Sequence, residues 1–316
     1  MTSSNILVIG AGGQIGTVLV EKLKSLFGQD SVFATDLNEN ADKKIAALDV
    51  MNRDALEQFI ASNQINCIYH LAAILSARGE QNPKWAWEIN MNGLFNVLES
   101  AVKFNIEKVF YPSTIAVFGK NIPLENTPNH VPLIPATVYG ISKVAGELWA
   151  EYYFNKHGLD VRSIRYPGVI GYQSLAGGGT TDYAVDIFHA EARNETFNCF
   201  LSEHTTLPMI YIDDCIQATI DLMQAPKENL TCRTSYNVAG MSFSPMELAS
   251  EIQKRNPNFK IVYSPDFRQK IAESWPQSID DSLARKDWNW KPRYNLGQLV
   301  DIMMENVRKQ YKGIEH

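Results

Sequence analysis

Ile6-Leu7-Val8-Ile9 is a short apolar run that passes straight into Gly10-Ala11-Gly12-Gly13-Gln14-Ile15-Gly16 and then into a helical pattern at Val18, Leu19, Leu23 and Leu26. No other stretch limits the fold as much. Four apolar residues without polar alternation read as a strand buried on both faces. Glycines at 10, 13 and 16 let the backbone approach a pyrophosphate, and the free N–H groups of the helix start, at Gln14 and Ile15, point at it. A glycine turn alone is a weak signal; the flanking strand and helix supply the context that strengthens it.

The chain keeps alternating after this unit. Ser31-Val32-Phe33-Ala34-Thr35 reads as a second strand and ends at Asp36, 20 residues past Gly16. A carboxylate there meets an adenosine ribose 2′-hydroxyl and repels a 2′-phosphate, which favours NAD over NADP. The plainer alternative is an Asp that opens a turn before Leu37-Asn38. Strands are predicted at 45–48, ending in Asp49-Val50, and at 67–71, running into Ala72-Ala73. Others are predicted at 108–111, followed by Ser113-Thr114, and at 161–166, followed by Pro167-Gly168. Helices are expected at 54–63, 83–104 and 139–157, with a loop containing Ser76 at 74–80. Alternation of this kind predicts an α/β fold, a Rossmann-type doubly wound parallel sheet.

On that reading, residues 1–170 form the NAD-binding domain, 207–239 return to it, and 171–316 mainly form a smaller substrate-binding part. Gly177-Gly178-Gly179-Thr180-Thr181 is a glycine loop before a helix, with Asp182 as its N-cap. Its N–H groups and hydroxyls suit a carboxylate. A flexible linker between the two parts is the alternative.

Tyr139 and Lys143 stand four apart at the start of a predicted helix, so they share one face. A phenol with a pKa near ~10 is a poor base at neutral pH. A nearby ammonium favours the phenolate, which makes Tyr139 a usable proton acceptor. Thr114 or Ser113, at a strand end, can hydrogen-bond a substrate oxygen beside it. Y-x-x-x-K by itself also fits an ordinary surface helix.

Composition adds exclusions. The 316 residues are 45% hydrophobic and 20% charged, with net charge -6 and no Lys/Arg cluster. That argues against nucleic acid or an anionic membrane as partner. Cys67, Cys199, Cys215 and Cys232 form no C-x-x-C pair and no metal-ligand spacing, so reduced thiols in a cytoplasmic protein and no metal are expected. The first five residues show no leader pattern.

Jointly, the Gly10/Gly13/Gly16 spacing, His70-Leu71-Ala72-Ala73, Ser113-Thr114, Tyr139 with Lys143, and Arg165-Tyr166-Pro167-Gly168 resemble the extended branch of the short-chain dehydrogenase/reductase superfamily. The resemblance covers essentially the whole chain. Ile74-Leu75-Ser76-Ala77, the stretch from Gly177 to Ala184, and the stretch from Arg268 to Pro276 are similar to the short-chain type L-threonine 3-dehydrogenases. This likeness implies oxidation of L-threonine by NAD to 2-amino-3-ketobutyrate. Tyr139 would be the acid/base, Lys143 its activator and nicotinamide-ribose ligand, and Thr114 the hydroxyl partner. Cofactor contacts would come from Gly10, Gly13, Gln14, Ile15, Gly16, Asp36, Asp49, Val50, Leu71, Ala72, Ala73, Tyr139, Lys143, Tyr166 and Pro167. Substrate contacts would come from Ser76, Thr114, Tyr139, Gly178, Thr180, Thr181 and Trp275. A homodimer through helices 83–104 and 139–157 is also implied. Two positions depart from the pattern: Ala176 replaces a usual Pro, and Phe118 replaces a Tyr, removing a phenol near the substrate. The rivals are an NDP-sugar epimerase or dehydratase of the same branch, and a non-catalytic NAD-binding regulator. The regulator would be expected to lose Tyr139 or Lys143, and the chain retains both.

Overall fold

The computed structural model describes residues 5–174 and 177–312; the first four residues and Ala176 lie outside them. The first half runs β1 (Ile6–Ile9), α1 (Gln14–Phe27), β2 (Val32–Asp36), β3 (Ala46–Ala47), α2 (Arg53–Ser62) and β4 (Cys67–His70). It continues with α3 (Ser76–Gln81), α4 (Pro83–Lys103), β5 (Lys108–Thr114), α5 (Val138–His157) and β6 (Asp160–Tyr166). The rest comprises β7 (Gly168–Ile170), α6 (Tyr183–Ala192), β8 (Phe197–Cys199), β9 (Leu207–Tyr211), α7 (Ile212–Gln224) and β10 (Tyr236–Asn237). Last come β11 (Met241–Phe243), α8 (Pro245–Gln253), β12 (Ile261–Tyr263), α9 (Phe267–Ala272), α10 (Ser282–Trp288) and α11 (Leu296–Lys312).

Seven strands form one parallel sheet in the order β10-β6-β5-β4-β1-β2-β3. The chain leaves β1 toward β2 and β3, then crosses back to β4, so the order reverses beside β1. A crevice outside the strand ends at that reversal is where open α/β sheets hold ligands. Both faces of the sheet are covered at β1, which is why that strand is continuously apolar. Ile6 and Val8 of β1 pack with Leu19 and Leu23 of α1, while Leu7 and Ile9 pack with Leu56 of α2 and Leu94 of α4. Each fully buried aliphatic side chain of this kind contributes roughly 1.5–3 kcal/mol. Residues 207–239 supply α7, which packs on α1, and β10, which extends the sheet beside β6.

A smaller layer is built from a three-stranded sheet, β11-β9-β7, and a parallel β12-β8 pair. There α6 packs against α8 and α11. Among the described residues no helix is long and apolar enough to cross a membrane.

Three local expectations are corrected. The strand at 45–48 shortens to Ala46–Ala47, exposed at the sheet edge. The loop at 74–80 is helical from Ser76 to Gln81; its N-cap, Leu75, has no capping side chain. Packing of this short helix on α4 and α5 holds it, which local sequence signals do not register. Asp182 stands at the start of α6 but makes no side-chain cap. Its carboxylate turns back to the glycine loop instead.

Candidate active site

The glycine turn after β1 is fixed by contact, not by propensity. Gly10 has φ +88, and a Cβ there would stand 2.6 Å from the Ala72 nitrogen. A Cβ on Gly16 would lie 2.3 Å from the Gly10 carbonyl oxygen. Gly13 begins α1 without any side-chain cap, and a Cβ on it would meet only Gly10 O, at 3.5 Å. A 14-residue helix thus directs uncapped N–H groups into open space, which fits the diphosphate of a dinucleotide. Asp36 holds this turn from β2, accepting from Gly12 N at 2.8 Å and Leu37 N at 2.7 Å. Gln14 ties the turn to the second layer by donating to Val169 O at 3.2 Å.

Helix α5, which carries Tyr139 and Lys143, is anchored at its start. Thr137 caps it, accepting from Gly140 N at 3.0 Å, and Glu80 of α3 accepts from Val138 N at 2.8 Å. Buried Asn90 on α4 brackets both backbone groups of Ile74 and donates to Ser142, which in turn donates to the Tyr139 carbonyl. These contacts bring Tyr139 beside Thr114, whose hydroxyl hydrogen-bonds the phenol and favours its ionised form. Thr114 also caps the short turn after β5, accepting from Ala116 N at 3.2 Å.

Burial governs the protons here. It pushes the Tyr139 phenol up to about 12, against the opposing bond from Thr114. It pushes Lys143 down to about 7, opposed by the Glu147 carboxylate. The expectation that Lys143 lowers the Tyr139 pKa is therefore not met in this structure. The Lys143 ammonium instead donates to Pro112 O at 2.6 Å and lies 4.4 Å from the Tyr111 ring centre, against 5.6 Å for Tyr139. His70, at the end of β4, is held neutral, pushed down to about 3 by burial and then by Lys143.

One cavity joins most of the residues picked out from sequence: Gly10, Gly13, Gln14, Ile15, Gly16, Leu71, Ala73, Ser76, Thr114, Tyr139, Lys143, Tyr166, Pro167, Thr180, Thr181 and Trp275. Asp36, Asp49, Val50, Ala72 and Gly178 are not part of its wall. Asp49 caps a turn at Met51 N, and Ala72 N is bonded to Ile9 O. Phe118 is also absent from the wall; it is fully buried with the Arg165 guanidinium over its ring, so the substitution there removes no phenol from this cavity.

The glycine loop differs from expectation in its donors. Asp182 accepts from Gly178 N at 2.7 Å and Gly179 N at 2.6 Å, so these two N–H groups are already engaged. The Asp182 carboxylate is itself pushed up by burial. It is the only carboxylate among the described lining residues. Thr180 is 1% exposed, and its hydroxyl has no partner. Sequence reasoning missed Asn90, Glu147 and Asp182 as site-forming residues. The available signals were a polar residue inside an apolar helix face for Asn90 and the i+4 spacing from Lys143 for Glu147.

The sequence pattern of the NAD dependent epimerase/dehydratase family matches residues 6–239. The mitochondrial L-threonine 3-dehydrogenase of Bos taurus is 44% identical over 305 residues, 95% of this chain and 81% of its own. The holo form of an L-threonine dehydrogenase from Cupriavidus necator has a TM-score of 0.94 at 48% identity, covering 96% of this chain and 99% of its own. A monomeric L-threonine 3-dehydrogenase from a metagenome also has a TM-score of 0.94, at 46% identity over the same shares. A nicotinamide cofactor goes with the matched family, and the uncapped start of α1 accommodates its diphosphate. The match over most of the chain and the shared sheet topology establish that this protein belongs to the NAD dependent epimerase/dehydratase family, in the extended short-chain dehydrogenase/reductase branch.

Proposed function

We propose that the protein is an NAD-dependent L-threonine 3-dehydrogenase, oxidising the 3-hydroxyl of L-threonine to give 2-amino-3-ketobutyrate. The observation that carries this reading is the meeting, in one cavity, of the Tyr139–Thr114 pair with Asp182 and the unpartnered Thr180 hydroxyl. A threonine zwitterion uses all of them. Its 3-hydroxyl meets Tyr139 and Thr114, its ammonium meets Asp182, and its carboxylate meets Thr180, Thr181 and Ser76. Trp275 closes the apolar side around the methyl group. The alternative, an NDP-sugar epimerase or dehydratase, brings no ammonium to Asp182. A screen of NADH formation across L-threonine, serine, 3-hydroxy acids and UDP-sugars tests the assignment; L-threonine should be used far better than any sugar nucleotide.

Bound NAD supplies the hydride acceptor. Gly10, Gly13, Gln14, Ile15 and Gly16 hold its diphosphate. Asp36 meets the adenosine ribose, with Asp49, Val50, Leu71, Ala72 and Ala73 along the nucleotide. Lys143 holds the nicotinamide ribose, and Tyr166 and Pro167 bound the nicotinamide end. In this reading 1–170 with 207–239 form the cofactor domain and 171–316 mainly the substrate part.

Two predictions arise here. Wild-type protein should reduce NAD much faster than NADP, and Asp36→Ala should narrow that preference. Some overall loss should accompany it, because Gly12 N loses its acceptor. Equal use of both cofactors by the unmodified protein would contradict the role given to Asp36. Thr180→Val should lower kcat/KM for L-threonine by a hydrogen bond to a charged group, roughly 1.5–3 kcal/mol. A separate NAD titration should be unaltered. Unchanged threonine kinetics would return the glycine loop to the status of a linker.

A homodimer is supported by Trp87 on α4 and by Ile141, Leu148 and Tyr152 on α5, all large apolar side chains at the surface. Light scattering at working concentration decides between dimer and monomer. Cytoplasmic residence is in keeping with four buried, unbridged cysteines.

A further inference from the structure

Glu147 lies on α5 four residues after Lys143 and is 1% exposed. Its Oε1 accepts from Ser113 Oγ at 2.5 Å and from Arg165 Nε at 2.9 Å, and its Oε2 accepts from Arg165 Nη2 at 2.7 Å. Ser113 and Arg165 are direct register partners on β5 and β6, and the next pair along the same ladder is Thr114 with Tyr166. Arg165 is satisfied beyond Glu147 by Asn129 O at 2.6 Å and Asn237 Oδ1 at 3.3 Å. One buried carboxylate therefore bonds two strands, each at the residue just before a cavity residue, from the helix that carries Tyr139 and Lys143.

We infer that Glu147 is a positioning residue, which locks α5, with Tyr139 and Lys143 on it, to the ends of β5 and β6. The inference rests on the dehydrogenase reading above and names a residue that touches neither substrate nor cofactor. A surface ion pair would do little of this, but a bidentate Arg–carboxylate pair out of water fixes geometry. Lys143 faces Tyr139 from its own helix, Tyr111 from β5 and His70 from β4, and among these neighbours and Glu147 only Glu147 opposes the effect of burial on it. Glu147 in turn faces Arg165 from β6.

The test uses Glu147→Gln, and the double variant Glu147→Gln/Arg165→Met, in which no guanidinium is left unpaired. With Glu147 gone, Lys143 loses its proton at lower pH, because the one group that opposes its burial is removed. The kcat for L-threonine should fall at neutral pH in both variants, by more than any loss of folded protein accounts for. The KM for NAD should stay near the wild-type value. Read without turnover, the Lys143 Nζ nuclear magnetic resonance, assigned by its loss in Lys143→Met, should titrate at lower pH than in wild type. A merely structural role would lower thermal stability and leave kcat per folded molecule and the Lys143 titration in place, and that result in the double variant overturns the inference. If wild-type protein fails to oxidise L-threonine, the dehydrogenase reading falls, while the Lys143 titration still decides the role of Glu147.

Discussion

Tyr139→Phe is expected to lower turnover of L-threonine by about 10²–10⁴-fold, the usual cost of deleting a general base. The ring and its packing survive the change; only the oxygen that bonds Thr114 is lost. Cofactor affinity should therefore hold, because the glycine turn and the α1 start are untouched. The phenol sits at about 12 in this structure, pushed there by burial, so its base form is scarce at neutral pH. Wild-type kcat should accordingly climb with pH through the neutral and alkaline range. Measured kcat, KM and NAD affinity for Tyr139→Phe check this together; near-normal turnover would mean that another group takes the proton.

Lys143→Met is expected to have the next largest effect, roughly 10²-fold or more on kcat. The stability side runs in the opposite direction. Burial brings the Lys143 pKa from 10.5 down to about 7. Between those values the unfolded chain binds more protons than the folded one, so stability contributed at this site increases as pH rises through that window. Methionine fills the same buried space without a charge and removes the dependence. The variant should be at least as thermally stable as wild type at neutral pH while nearly inactive. Activity lost in step with a lower Tm would indicate damaged packing in place of lost chemistry. Near-normal turnover would count against Lys143 as the partner of Tyr139.

What the sequence made legible was local or periodic. The β1–turn–α1 unit is readable because apolar run, glycine spacing and helical period follow one another within 27 residues. Tyr139 and Lys143 are readable because helical spacing alone puts them on one face. Asp36 is readable from its distance beyond Gly16. The remainder depends on contacts between distant segments. Short α3 exists because α4 and α5 pack on it, although Gly79 and an uncapped start argue against a helix. Asp182 looks like an N-cap in sequence, yet the conformation of the glycine loop turns Gly178 N and Gly179 N toward its carboxylate. Glu147 gains its meaning only when β5 and β6 align Ser113 with Arg165. The raised proton affinity of Tyr139 is not legible in sequence, because adjacency to Lys143 is visible there and depth of burial is not.

The central claim is that hydride leaves C3 of L-threonine while Tyr139 accepts the hydroxyl proton. L-threonine deuterated at C3, incubated with NAD and the protein, tests it directly. The account predicts that the deuterium is recovered on the reduced nicotinamide, at a rate that collapses in Tyr139→Phe. Reduction of NAD without deuterium transfer would contradict it, as would no reduction with L-threonine beside turnover of a UDP-sugar.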